Sequence, residues 1–160
     1  MKRLTALLIL LSLLLSGCGE RLKEPVTFYY IRNGYEEEMT EVLGSEQREA
    51  AGHREDLSYL MALYLMGPAD DELRSPLPRG TNFFTSEFRD SVVTLRMSDT
   101  SKTMTDAQFT LACSCLTLTC LELVDAESVT VVSGDRSITM NADSLTQKDH
   151  ITGTQTEEPQ

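Results

Sequence analysis

Histidine is nearly absent from this 160-residue sequence: there are two, His53 and His150. A Ser-His-Asp or Cys-His catalytic arrangement would have to be built on His53, since His150 lies in a polar tail, and no GxSxG nucleophile elbow is present. Basic residues are also scarce, with 14 Lys and Arg against 25 Asp and Glu. An acidic surface of that kind is repelled by nucleic acid and anionic lipid, which removes a nucleic-acid partner from consideration. Long apolar runs are missing too. The longest, LTALLILLSLLL over residues 4–15, falls short of the roughly 20 residues that span a bilayer. Cysteine is limited to four, and three of them crowd into ACSCLTLTC at residues 112–120.

The fourth cysteine belongs to the N-terminus. Lys2 and Arg3 precede the apolar run, which ends in LSGC at residues 15–18, the order of a secretory signal peptide. LSGC resembles the bacterial lipobox. Small residues there let a peptidase reach the backbone, and a thiol at the next position accepts a diacylglycerol. Residues 1–17 are therefore expected to be a lipoprotein signal peptide, with Cys18 lipidated and the chain held on the outer face of the cytoplasmic membrane. After that cleavage the chain carries 12 basic and 25 acidic residues, a net charge of −13. Residues 18–24 form a tether, of which Gly19 to Glu24 spans at most about 20 Å.

Residues 25–146 read as one domain, and 147–160, which lose periodicity and apolar content, as a disordered tail. VTFYYI (26–31) is a strand, and a short edge strand is placed near Glu46 to Ala50. Leu57, Leu60, Met61 and Tyr64 share one helical face, and Gly67-Pro68 stops that helix. Pro76, Pro78 and Gly80 direct the loop that follows. NFFTSEFRDSVVTLRMS is a hairpin turning at Asp90-Ser91, and SVTVVSGDRSITM a second one turning at Gly134-Asp135. Thr105 to Gln108 is a capping box opening the cysteine-bearing helix. The expected class is α+β: a small, largely antiparallel sheet with two helices on one face.

The segments YLMALYLMGP, LRSPLPRGT, FRDSVVTLRMS, a helix, and SVTVVSGD, in that order between Tyr59 and about Met140, resemble the GerMN domain of sporulation and spore-germination proteins. The resemblance implies a fold similar to ring-building modules, which bind one another side by side. It brings no catalytic residue and no cofactor to carry over. At the matching positions Gly67, Pro68, Pro76, Pro78, Gly80 and Thr81 are read as structural. Some members of the family carry two such domains or a β-propeller; one such domain is expected within this sequence.

The acidic run Asp70-Asp71-Glu72 lacks the alternating ligands and turning glycine of a calcium loop and reads as solvated. On the second helix, Cys113 and Cys120 are seven apart and stack with Phe109, Leu116, Leu123 and Val124 on a buried stripe. Cys115 points almost the opposite way with Leu111 and Leu118. One helix cannot aim three thiolates at a single tetrahedral zinc, and residues seven apart are separated by about 10 Å along the axis, too far for a disulfide. No metal site is expected. Leu111, Cys115 and Leu118 are the candidate interface, for a protein partner or another copy, unless a neighbouring element covers them. The expectation is a non-enzymatic, membrane-tethered interaction domain of sporulation or germination, with a wall- or ligand-binding lipoprotein as the alternative.

Overall fold

A computed structural model describes residues 22–34 and 42–146. The signal peptide, Cys18, most of the tether and the tail at 147–160 lie outside the described residues. The strands are β1 (Pro25–Arg32), β2 (Leu43–Glu49), β3 (Leu73–Arg74), β4 (Phe83–Arg89), β5 (Val92–Met97), β6 (Ser128–Ser133) and β7 (Arg136–Met140). The helices are α1 (Leu57–Leu65), α2 (Asp106–Leu123) and α3 (Ala142–Thr146), with a 3-10 turn at Ser101–Thr103. The class is α+β, as expected. No helix among the described residues is long and apolar enough to cross a membrane.

Local signals act where they occur in the chain. Asp90 and Ser91 both hold positive φ, 51° and 61°, as the tightest two-residue hairpin turn requires. The Thr105 hydroxyl accepts from the Gln108 N–H at 3.2 Å, and the Gln108 side chain accepts from the Thr105 N–H at 2.9 Å, completing the capping box. Asp56 caps α1 by accepting from the Tyr59 N–H at 3.0 Å. Gly67, at φ +81°, ends that helix with its N–H on the Tyr64 carbonyl. The buried residues of α1 are Leu57, Leu60, Met61 and Tyr64, the four that share its apolar face.

The strands divide between two sheets, ordered β2-β1-β3 and β4-β5-β6-β7. Every pairing is antiparallel except β5 with β6, which α2 joins as a parallel crossover. The division has a local cause. β3 pairs only with Ile31 and Arg32, which leaves the same edge of β1 open at Tyr29. There the Tyr29 N–H donates to the Thr119 hydroxyl of α2 at 3.0 Å, and the Tyr29 carbonyl accepts from the Tyr64 hydroxyl of α1 at 3.0 Å. Two side chains take the bonds that a further strand would have made, so the second group of strands forms its own sheet.

Helix α2 consequently lies between β1 on one side and β6 and β7 on the other. Its N-terminal end is fixed by Arg136 of β7. That guanidinium sits 4.1 Å from the centre of the Phe109 ring, bonds the Ser101 and Met104 carbonyls, and reaches Asp106 at 2.9 Å. Cation, ring and carbonyl contacts of this kind hold the helix in register over the sheet.

Candidate interaction surfaces

The three cysteines of α2 are all buried and free. Cys113 and Cys120 lie in the core with Phe109, Leu116 and Leu123, on the stripe their spacing defines. Cys115 does not point to an open face. It is fully buried, and with Cys120 it lies close enough to Tyr64 for both thiols to act on that phenol. The candidate interface of Leu111, Cys115 and Leu118 is therefore corrected: its central residue is fully buried, with Tyr64 beside it. Leu111 and Leu118 remain half-buried. The helical wheel assigned α2 one covered face, whereas a helix packed between two sheets has two.

Burial sets the chemistry of these thiols. Loss of hydration pushes Cys113, Cys115 and Cys120 up from the ordinary 9.0 to about 12, with Arg136 opposing the rise at Cys113. A thiol so far above neutral pH is a poor nucleophile and a poor metal ligand. No group of His, Cys, Asp and Glu suited to a metal ion occurs among the described residues. Asp70, Asp71 and Glu72 are exposed. Their loop is tied down from outside by Glu46, whose carboxylate accepts from the Ala69 and Asp70 N–H groups at 2.9 and 3.0 Å.

Two threonines on α2 have opposite roles. The Thr119 hydroxyl serves the Tyr29 N–H, as described above. The Thr117 hydroxyl is fully buried and has no hydrogen-bond partner. Thr119→Val should cost about 1–3 kcal/mol, because it orphans a backbone donor. Thr117→Val should be neutral or stabilising by about 1 kcal/mol, because it removes an unpaired polar atom of nearly the same shape. Urea unfolding followed by circular dichroism measures both, and equal losses in the two variants would contradict these roles.

The residues of the Gly-Pro and Pro-x-Gly-Thr motifs shape a second surface. Gly80 turns at φ +84°, and Thr81 clamps the loop by donating to the Pro78 carbonyl at 2.8 Å and meeting the Thr100 hydroxyl at 3.0 Å. Pro76 and Leu77 are buried and Pro78 half-buried. The loop and the start of α2 enclose a groove of about 320 Å³ that brings Pro76 and Pro78 together with Leu111. Gly67 accepts a bond from Arg48 at 3.0 Å through its carbonyl, and Pro68 follows it out of the helix.

A third surface was not evident from the sequence. Phe84 and Phe88 of β4 are 72% and 47% exposed, and Met66 beyond α1 is 76% exposed. The register breaks between Phe83 and Thr85, so Phe84 sits on a bulge and turns outward. FFTSEF reads as an ordinary strand in sequence. The available signal was the contrast with β5, whose Val93, Leu95 and Met97 already supply the inward side chains of the hairpin.

The fold of the described residues is similar to that of GerMN domains. The solved structure of the tandem GerMN domains of the sporulation protein GerM from Bacillus subtilis superposes with a TM-score of 0.50 at 18% identity, over 70% of this chain. This chain spans 39% of that one. A Clostridium perfringens protein described as a lipoprotein superposes with a TM-score of 0.48 at 13% identity, over 74% of this chain and 89% of that one. No protein-family model matches the sequence, and no curated protein matches it.

Proposed function

We propose that this chain is a lipid-anchored, non-enzymatic interaction domain. It works on the outer face of the cytoplasmic membrane as part of an envelope protein complex, in sporulation or spore germination. The observation that carries this reading is the GerMN-like fold shared with tandem domains of a sporulation protein. The lipobox at residues 15–18 supports the anchor, and the exposed phenylalanines of β4 support a protein-binding role.

Radiolabelled fatty acid is expected to enter the wild-type chain and not Cys18→Ala. Cross-linking of the membrane-extracted protein is expected to yield species larger than the monomer, and deletion of the gene to lower spore yield or germination while vegetative growth continues. Equal labelling of both chains would remove the anchor. A monomer that binds purified wall fragments would replace the complex with a wall-binding role.

A further inference from the structure

The tether enters the domain at one end. Glu24, its last residue, accepts the Ala50 N–H at 3.2 Å through its carbonyl, and it borders one hollow with His53, Glu55, Ser86 and Phe88. The Asp90-Ser91 turn follows close behind Phe88, and the Ser91 carbonyl accepts from the Glu127 N–H at 2.7 Å. From Glu24, strand β1 carries the chain about 26 Å away, over the eight residues to Arg32. There Ile31 and Arg32 pair with Arg74 and Leu73, the Asn33 N–H donates to the Glu72 carbonyl at 2.8 Å, and Ile31 shares a groove with Pro76, Pro78 and Thr103. The loop at 76–81 therefore lies at the end opposite the tether.

Exposed Glu24, Glu55, Asp56, Asp90 and Glu127 crowd the tether end. The cations beside them, Lys23, Arg54 and Arg89, are fewer, and the Arg54 guanidinium is bonded to the Pro25 carbonyl at 2.7 Å. A bilayer of anionic lipid repels such an end, and its field fades within a Debye length of about 8–10 Å. The span from Cys18 to Leu22 is longer, at most about 14 Å. The tether thus lets the acidic end clear the ionic layer and is too short for the domain to drift away. Tipping the domain onto a side would return acidic surface to that layer, since the chain beyond the signal peptide carries a net charge of −13.

We infer that the anchored domain stands end-on, held off an anionic bilayer by its acidic tether end, with the loop at 76–81 turned away from the lipid. The inference rests on the lipid-anchor reading and gives the interaction domain an outward end. That end carries the Pro-x-Gly-Thr motif and the groove beside Leu111.

The test uses the full lipidated chain in vesicles, with a donor fluorophore on Glu127→Cys or Arg79→Cys and an acceptor on the lipid headgroups. Both positions are exposed, and the cysteines of α2 are buried, so brief labelling marks the introduced thiol. In vesicles of phosphatidylglycerol and phosphatidylcholine at low salt, the donor at Glu127→Cys should lie roughly 20 Å nearer the lipid than the donor at Arg79→Cys. High salt, or phosphatidylcholine alone, should bring the donor at Glu127→Cys closer by up to about 14 Å. Glu24→Gln with Glu55→Gln should give part of that approach at low salt.

Equal transfer from the two positions would lay the domain on its side, and stronger transfer from Arg79→Cys would invert it; either result overturns the inference. So would a donor at Glu127→Cys that stays close to the lipid at every salt concentration and lipid charge. That result is expected if Arg21, the chain's own cation nearest these acids outside the described residues, folds back onto Glu24 and Glu55 and shortens the tether. A wild-type chain that carries no fatty acid removes the anchor and this inference together. A lipidated chain with both donors equidistant from the bilayer removes the inference alone.

Discussion

Tyr64→Ala is expected to lower stability by about 3–5 kcal/mol, the range for truncating a buried aromatic residue, and to lower the melting temperature by roughly 15 °C or more. Few residues hold as many elements together. The Tyr64 ring is fully buried, stacks on Tyr30 at 4.8 Å with planes 10° apart, and meets Phe28 edge-on at 5.7 Å. Its hydroxyl bonds the Tyr29 carbonyl at 3.0 Å, and its own carbonyl accepts from the Tyr30 hydroxyl at 3.2 Å. Alanine would empty the space between α1, β1 and α2 and orphan the backbone of β1 at the point where the two sheets part. Tyr64→Phe keeps the ring and loses one bond, and should cost about 1–2 kcal/mol. Thermal and urea melts separate the two variants. An alanine variant no less stable than the phenylalanine variant would refute the packing argument.

The second large effect appears in alkali. Cys113, Cys115 and Cys120 ionise near 9.0 in an unfolded chain and at about 12 in the folded one, because burial strips the thiolate of water. A pKa raised by folding gives stability that is complete below the unfolded value and is lost as pH climbs to the folded value. Between pH 9 and 12 the folded chain holds protons that the unfolded chain has released, so the unfolding free energy falls as pH rises. Each thiol contributes up to about 1.4 kcal/mol per pH unit. Tyr30 and Tyr64, also raised chiefly by burial, add the same sign above pH 10.

Urea melts at pH 7.5, 9, 10 and 11 should show this decline, and replacing the three cysteines with alanine should flatten it between 9 and 10. At pH 8 a bulky thiol reagent should label the α2 cysteines about a thousandfold more slowly in the native chain than in urea. Rapid native labelling at Cys115, read by peptide mapping, would restore it to the surface. Stability that held constant to pH 11 would refute the burial argument for all three.

Much of the fold was legible because its signals are local. The Asp90-Ser91 turn, the Thr105 capping box, the Gly67 helix stop and the Leu57-Leu60-Met61-Tyr64 stripe each depend on residues a few positions apart, and each formed as read. β3 was read as loop, since two residues carry no period; Leu73 and Arg74 are a strand because Ile31 and Arg32 lie beside them. The outward turn of Phe84 depends on a register shift against β5, and no pattern within FFTSEF marks it.

The cysteine cluster marks the boundary between what each level decides. Periodicity alone placed Cys113 and Cys120 on one stripe with Phe109 and Leu116, and the spacing excluded a zinc site and a disulfide within the helix, because helical geometry follows from the backbone. What lies against Cys115 was decided by tertiary structure. Tyr64 of α1 lies beside it, and strand β1 meets the same helix across 90 residues of chain, where the Tyr29 N–H donates to the Thr119 hydroxyl. A hydrogen bond that a strand leaves unmade finds its partner anywhere the chain can bring one, and local pattern cannot say where.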